Sequence, residues 1–203
     1  MTLRHEHPTP GPAMDRAAAL RALVPPLATK RLSLRAPRLE DFDHFASILC
    51  TEQGRFVGGP MSRTAAWSEF TQVTAGWFLH GHGAWTIEQG KDVMGFVLIG
   101  IEPGDHEREL GYLLTERAEG QGIATEAAKA AHDFAFSHLR FETLVSYIDL
   151  DNAKSFAVAE RLGGARDAKA EAAMNNRMRV YRYPAPANTP GGGTWNKESA
   201  LND

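Results

Sequence analysis

Apolar residues recur along this chain at two periods. Leu39, Phe42, Phe45, Ala46 and Leu49 fall three and four apart, the spacing of one helix face, and predict a helix over 39–49. A second helix is predicted over Ser62–Leu79, with Ser62 or Arg63 near its start and Trp67, Phe70, Trp77 and Phe78 on its buried side. Gly122–Leu139 reads as a third, its inner stripe made of Ile123, Ala127, Ala130, Ala131 and Phe134. Asn152–Leu162 is a fourth, opened by an Asn suited to an N-cap and stopped at Gly163-Gly164. Shorter runs lie between these helices. Thr29–Arg35 alternates Leu32 and Leu34 with polar residues, as a half-buried strand does. Trp85–Glu88 and Val93–Ile101 read as antiparallel strands turned at Gln89-Gly90-Lys91-Asp92. Glu107–Leu114, Leu144–Ile148 and Arg177–Tyr183 are further strands, and Thr51–Pro60 and Ala168–Asn176 read as loops. Helices alternating with strands, with a meander among them, predict an α/β (α+β mixed) fold: a mixed, largely antiparallel sheet with helices on both faces.

The ends lack this patterning. Met1–Ala28 is broken by Pro8, Pro10, Pro12, Pro25 and Pro26, although 14–23 could form a short helix. The expected division is therefore an N-terminal extension over 1–28, one domain over 29–184 and a flexible tail over 185–203 rich in Pro, Gly and Asn. With 203 residues, 43% hydrophobic and 23% charged, the composition is that of an ordinary globular protein. The net charge of -3 shows no basic excess that would favour nucleic acid or a membrane surface. No signal-type apolar segment opens the chain, so a cytoplasmic location is the default expectation. The single Cys50 rules out an intramolecular disulfide and sits where a core residue belongs. The pairs His5/His7 and His80/His82 lack Cys or carboxylate partners at zinc spacing, so no metal is expected. Nothing in the sequence decides between a monomer and a homodimer.

The most informative chemistry lies at Glu119-Gly120-Gln121-Gly122-Ile123-Ala124-Thr125. It follows the apolar run Gly111–Leu114 and leads into the alanine-rich helix. A strand, a glycine turn and a helix N-terminus together present unsatisfied N–H groups and the positive end of a helix dipole, which suit a phosphate. A P-loop would need Lys after its last glycine, where Ile123 stands, and a dinucleotide fingerprint would need a third Gly where Thr125 stands.

Read as xxxGxA, this turn resembles motif A of the GNAT (GCN5-related N-acetyltransferase) superfamily, and ATEAA (124–128) is similar to its RimJ/RimL-like branch. TKRLSLR (29–35), RELGYLL (108–114) and DNAKSFAVAERLGG (151–164) resemble other segments of that branch, in the same order. Two positions depart from the pattern: Glu119 stands where Gln or Arg is usual, and is expected to point outward, and Gly164 stands where an aromatic is usual.

The resemblance implies a GNAT-type twisted sheet and transfer of an acetyl group from acetyl-CoA to a primary amine, on a protein or peptide N-terminus or a small molecule. It implies that Gly120, Gln121, Gly122, Ile123, Ala124 and Thr125 hold the pyrophosphate. Tyr112, Leu113 and Leu114 would line the pantetheine arm, with the N–H of Leu113 or Leu114 meeting the oxyanion. Asn152 would bond a pantetheine amide as well as cap its helix, and Ser155 would bind the arm and protonate the departing thiolate, unless it is only a solvated helix serine. Glu109 would be the base, unless it is a surface residue paired with Arg108 or Lys91, and Glu107 is a weaker candidate. The loops 51–60 and 168–176 would face the acceptor. A non-catalytic acyl-CoA-binding or sensor module on the same fold is the alternative, and a dinucleotide-dependent oxidoreductase a more distant one.

Overall fold

The structure is a computed structural model that describes residues 3–185. Its centre is an eight-stranded sheet in the order β1-β2-β3-β4-β5-β6-β8-β7. The strands are β1 (Leu27–Ala28), β2 (Ser33–Arg35), β3 (Ala84–Gln89), β4 (Asp92–Gly100), β5 (Glu109–Leu114), β6 (Val145–Asp149), β7 (Ala165–Arg166) and β8 (Met178–Arg182). All neighbours are antiparallel except β5 and β6, which run parallel. Six helices accompany them: α1 (Pro12–Arg21), α2 (Phe42–Leu49), α3 (Arg63–Leu79), α4 (Ile123–Ser137), α5 (Ala153–Arg161) and α6 (Ala168–Ala173).

Two apolar clusters cover the two faces. On one, α2 and α3 lay Phe42, Phe45, Ile48 and Phe70 against Phe96 and Leu113. Edge-on ring pairs such as Phe45–Phe96 at 5.0 Å lock this layer. On the other face α4 presses Ile123, Ala127, Ala131 and Phe134 onto Trp85, Val97, Ile99 and Leu110. Its alanines keep the inner side of α4 flat, so the helix axis lies close to the sheet. The start of α3 is capped as its sequence suggests: Ser62 Oγ accepts the Ala65 N–H at 3.2 Å.

Several sequence expectations need correction. Thr29–Arg35 is not one strand. Thr29 N–H bonds the Leu32 carbonyl at 2.9 Å, closing a turn between β1 and the short β2. The sheet thus begins at Leu27, and Trp85 Nε1 ties the preceding segment down through the Pro25 carbonyl at 2.8 Å. The segment 51–60 holds a 3-10 turn over Glu52–Val57 rather than open loop. Residues 168–173 are helical, because Glu171, 1% exposed, is gripped by Arg166 and Arg179. Phe78, expected on the buried side of α3, is 62% exposed: it lies in the last turn, where the helix has run past the sheet. Gly164 has no room for a larger residue; a Cβ there would lie 2.9 Å from the Tyr183 ring, which itself fills that corner. Most of the expected tail, 186–203, falls outside the described residues.

Candidate active site

The site starts from a break in the sheet. Val145 N–H bonds the Arg108 carbonyl at 3.1 Å, and Glu109 opposite Val145 is the sole register pair of β5 with β6. The next parallel rung would join Tyr147 N–H to the Leu110 carbonyl. Side chains take both places. Tyr147 N–H goes to Glu109 Oε1 at 3.3 Å, and the Leu110 carbonyl accepts from Ser146 Oγ at 2.5 Å. Beyond this point the strands part and a fork opens.

The rest of β5 therefore offers bare backbone to the fork. Thr115 N–H points to β4, where it meets the Met94 carbonyl at 2.9 Å. By alternation Leu113 also turns its main-chain groups to β4, and Tyr112 and Leu114 turn theirs to the fork. Of the two leucines expected to offer an N–H, it is Leu114 whose N–H faces the opening. Its carbonyl already accepts a bond there from Gln53 Nε2 at 2.6 Å.

A cleft of about 1710 Å³ fills the fork and runs along α4. Tyr112, Leu113 and Leu114 line it, with Gly120, Gly122, Ile123, Ala124 and Thr125 at one end and Asn152 and Ser155 on the far wall. Only Gln121 of the expected phosphate turn is not part of this wall; it faces out and bonds Arg117 through its side chain. Gly120 and Gly122 adopt φ of +71° and +75°, which other residues reach at a cost of about 1–2 kcal/mol. A Cβ on Gly120 would meet nothing within 4 Å, so the turn leaves open space where an anion could approach the backbone.

A brace holds that turn. Glu126, in the first turn of α4, accepts from Thr29 Oγ1 at 2.6 Å, from Arg31 N–H at 3.1 Å and from Arg31 Nε at 2.7 Å. Arg31 Nη2 reaches on to the Gln121 carbonyl at 3.1 Å. The carboxylate that would repel a phosphate is thus neutralised, while the guanidinium stays beside Gly122. Burial opposes ionisation of Glu126, but Thr29 and Arg31 outweigh it and its pKa is lowered. Glu119 is exposed, as expected, and on the cleft rim it pairs with Lys154 of α5 at 2.5 Å.

Across the cleft Asn152 Oδ1 caps α5 by accepting the Ser155 N–H at 3.2 Å. Tyr112 Oη donates to Ser155 Oγ at 2.8 Å. This leaves the serine proton free to be given elsewhere. Burial raises the Tyr112 pKa against the pull of Ser155, so the phenol stays protonated and remains the donor.

Glu109 faces the other way. Leu110, Tyr112 and Leu114 pack on the α4 side and Leu113 on the α2–α3 side, so alternation puts Glu109 with Leu113. It lies half-buried at the vertex of the fork, on the face opposite the phosphate turn. Burial first, then Asp105 and Glu102, push its pKa up to about 8. It pairs with neither Arg108 nor Lys91; Arg108 instead lies over the Phe141 ring at 4.5 Å. Glu107 is occupied elsewhere. It is bound by Arg182 through both carboxylate oxygens at 2.6 Å and by Thr143, and its pKa is lowered by Arg182. That clamp makes it a tie between β8 and the start of β5.

Sequence reasoning missed Ser146, Gln53 and the Thr29–Arg31 brace. The polar Ser146 inside an apolar strand was the one visible signal. No group of three or more His, Cys, Asp or Glu among the described residues is placed to hold a metal.

A parallel pair that splays beside a glycine turn and a helix N-terminus defines a class of acyl-transfer fold. Residues 31–165 match the acetyltransferase (GNAT) domain family, and the chain belongs to it. It is 39% identical to an acetyltransferase from Agrobacterium tumefaciens str. C58 whose crystal structure aligns over 79% of this chain and 95% of that one, with a TM-score of 0.73. The ribosomal alpha-N-protein acetyltransferase RimL in complex with coenzyme A shares the fold at 19% identity, over 78% of this chain and 96% of that one, with a TM-score of 0.62. The uncharacterized protein YkkB of Bacillus subtilis is 33% identical over 88 residues, 41% of this chain and 51% of its own length. The chain thus spans about half the length of that relative. No helix among the described residues is long and apolar enough to cross a membrane.

Proposed function

We propose that this protein transfers the acetyl group of acetyl-CoA to a primary amine, on a protein N-terminus or a small molecule, by direct attack with both substrates bound. One observation carries the reading: the fork between β5 and β6 joins an anion-suited turn on one face to a carboxylate on the other. The donor's pyrophosphate fits the turn at Gly120–Thr125, with Arg31 beside it, and its amide-bearing arm fits the edge of Tyr112 and Leu114 that β6 leaves without a strand partner.

The residues divide the chemistry between them. An ammonium has no lone pair, so the acceptor must lose a proton; free amines have pKa values of about 8–10. Glu109, at the vertex and with its pKa raised to about 8, is matched to take that proton through intervening water once ionised. The N–H of Leu114 faces the fork and can meet the negative oxygen of the tetrahedral intermediate. Ser155 gives its proton to the departing thiolate while Tyr112 Oη, donating to Ser155 Oγ, makes the serine a better acid. Holding both reactants in line supplies much of the remaining acceleration.

Thermal unfolding with added nucleotides tests the donor. Coenzyme A at millimolar concentration should raise the melting temperature, because a ligand bound only by the native state stabilises it by mass action. Stabilisation by NAD instead, or by neither, would remove the basis of the reading.

A further inference from the structure

Gln53 lies in the 3-10 turn Glu52–Val57, whose residues Glu52, Gln53, Arg55, Phe56 and Val57 form a wall of the donor cleft. The turn is fastened at its base to α2. Thr51 Oγ1 bonds the Ser47 carbonyl at 3.0 Å, Gly54 N–H the Thr51 carbonyl at 3.0 Å, and Met61 N–H the Leu49 carbonyl at 2.9 Å. At its tip Arg55, Val57 and Gly58 are exposed. Among the described residues, its one hydrogen bond to the sheet is from Gln53 Nε2 to the Leu114 carbonyl, at 2.6 Å.

That acceptor is unusual. Leu114 lies beyond the vertex, where β6 no longer supplies a strand partner, so its carbonyl would be bare without Gln53. A primary carboxamide here does what an amide of an extended ligand would do on the same strand edge. The donor's arm carries such amides, and one laid along this strand edge would compete with Gln53 for the carbonyl's outward-facing position.

We propose that Gln53 is a positioning residue that holds the donor arm's place on β5. In the free protein its carboxamide occupies the Leu114 carbonyl; seating the donor displaces it and releases the turn 52–57. The inference rests on the reading of the fork as the seat of an acyl-CoA.

Calorimetric titration of coenzyme A into the whole protein and into Gln53→Ala and Gln53→Leu tests it, the leucine keeping the side-chain bulk without the donor. Both variants should bind about three- to tenfold more tightly, since one hydrogen bond no longer has to be broken. Amide exchange over 52–57 should speed up in the wild type on adding coenzyme A, and should already be fast in the variants without it. Unchanged or weaker affinity in both variants, or slower exchange of 52–57 on binding, overturns this inference alone, because coenzyme A would still be seen to bind. No binding by any of the three proteins overturns the acyl-CoA reading and this inference with it.

Discussion

At the scale of single residues, Glu109 is where stability and chemistry meet. A carboxyl whose pKa rises from 4.5 to about 8 on folding binds more protons in the native state than in the unfolded chain between those values. Stability therefore falls as pH rises through that window. Glu109→Gln removes this titrating group, so between those values its melting temperature should decline less than that of the wild type. A parallel decline in both proteins would show that Glu109 ionises normally. In turnover, the wild-type rate should climb along a limb near pH 8 that the variant lacks, with the loss in kcat. A variant changed only in acceptor KM would make Glu109 a binding residue instead. Ser155→Ala should lower kcat by about a hundredfold, at the low end for a general acid, with coenzyme A affinity little changed. Tyr112→Phe, which removes only the bond that polarises Ser155, should cost about five- to tenfold. Steady-state kinetics of the two variants checks the order; equal losses would make Tyr112 a direct participant.

At the scale of elements, the phosphate turn depends on a segment almost a hundred residues earlier. Glu126→Ala takes this acceptor from Thr29 Oγ1 and from the N–H and guanidinium of the exposed Arg31, and should destabilise the protein by about 0.5–1.5 kcal/mol in urea unfolding while weakening coenzyme A binding. Loss of stability with full affinity would confine the brace to folding. Elements with an apolar stripe were legible in the sequence: α2 buries Phe42, Phe45, Ala46 and Leu49 and α4 buries Ile123, Ala127, Ala131 and Phe134, while Leu39, in the 3-10 turn before α2, and Ala130 are half-buried. Elements held by charge were not. The only buried residue of α6 is Glu171, whose partners Arg166 and Arg179 lie outside the helix, so no stripe announces it. Thr29–Leu32 alternates like a strand yet closes as a turn, because Thr29 and Arg31 are drawn to Glu126. The glycine turn was readable because its chemistry is local. The Tyr112–Ser155 bond, the Glu109–Tyr147 bond and the Gln53 contact were not, since each depends on the register of strands far apart in sequence.

At the scale of the whole molecule, the acidic groups set opposing pH limits. Asp41 is buried beside Arg35, which is also bound to Glu88, and accepts from Thr86 Oγ1 at 2.8 Å. Burial alone would raise its pKa, but Arg35 and the Arg38 N–H outweigh that and lower it. Glu171 is held at about 2, chiefly by Arg166. Depressed carboxyls contribute stability above their unfolded pKa that is lost as pH falls through the folded value. The melting temperature should thus drop in acid and, through Glu109, decline again above pH 4.5. Removing Asp41 by Asp41→Ala should cost about 1–3 kcal/mol, because the Arg38 N–H and Thr86 Oγ1 lose their acceptor while Arg35 keeps Glu88. Urea unfolding at neutral pH checks it.

The most direct test of the account is acetyl transfer itself. Incubated with acetyl-CoA and a panel of small amines and peptides with free N-termini, the wild type should release coenzyme A thiol and yield an acetylated amine detectable by mass spectrometry, with the rate falling in Ser155→Ala. Coenzyme A binding with no acetylated product from any amine, at any pH between 6 and roughly 9 where amines begin to lose their proton, would contradict it and leave a donor-binding module without transferase activity.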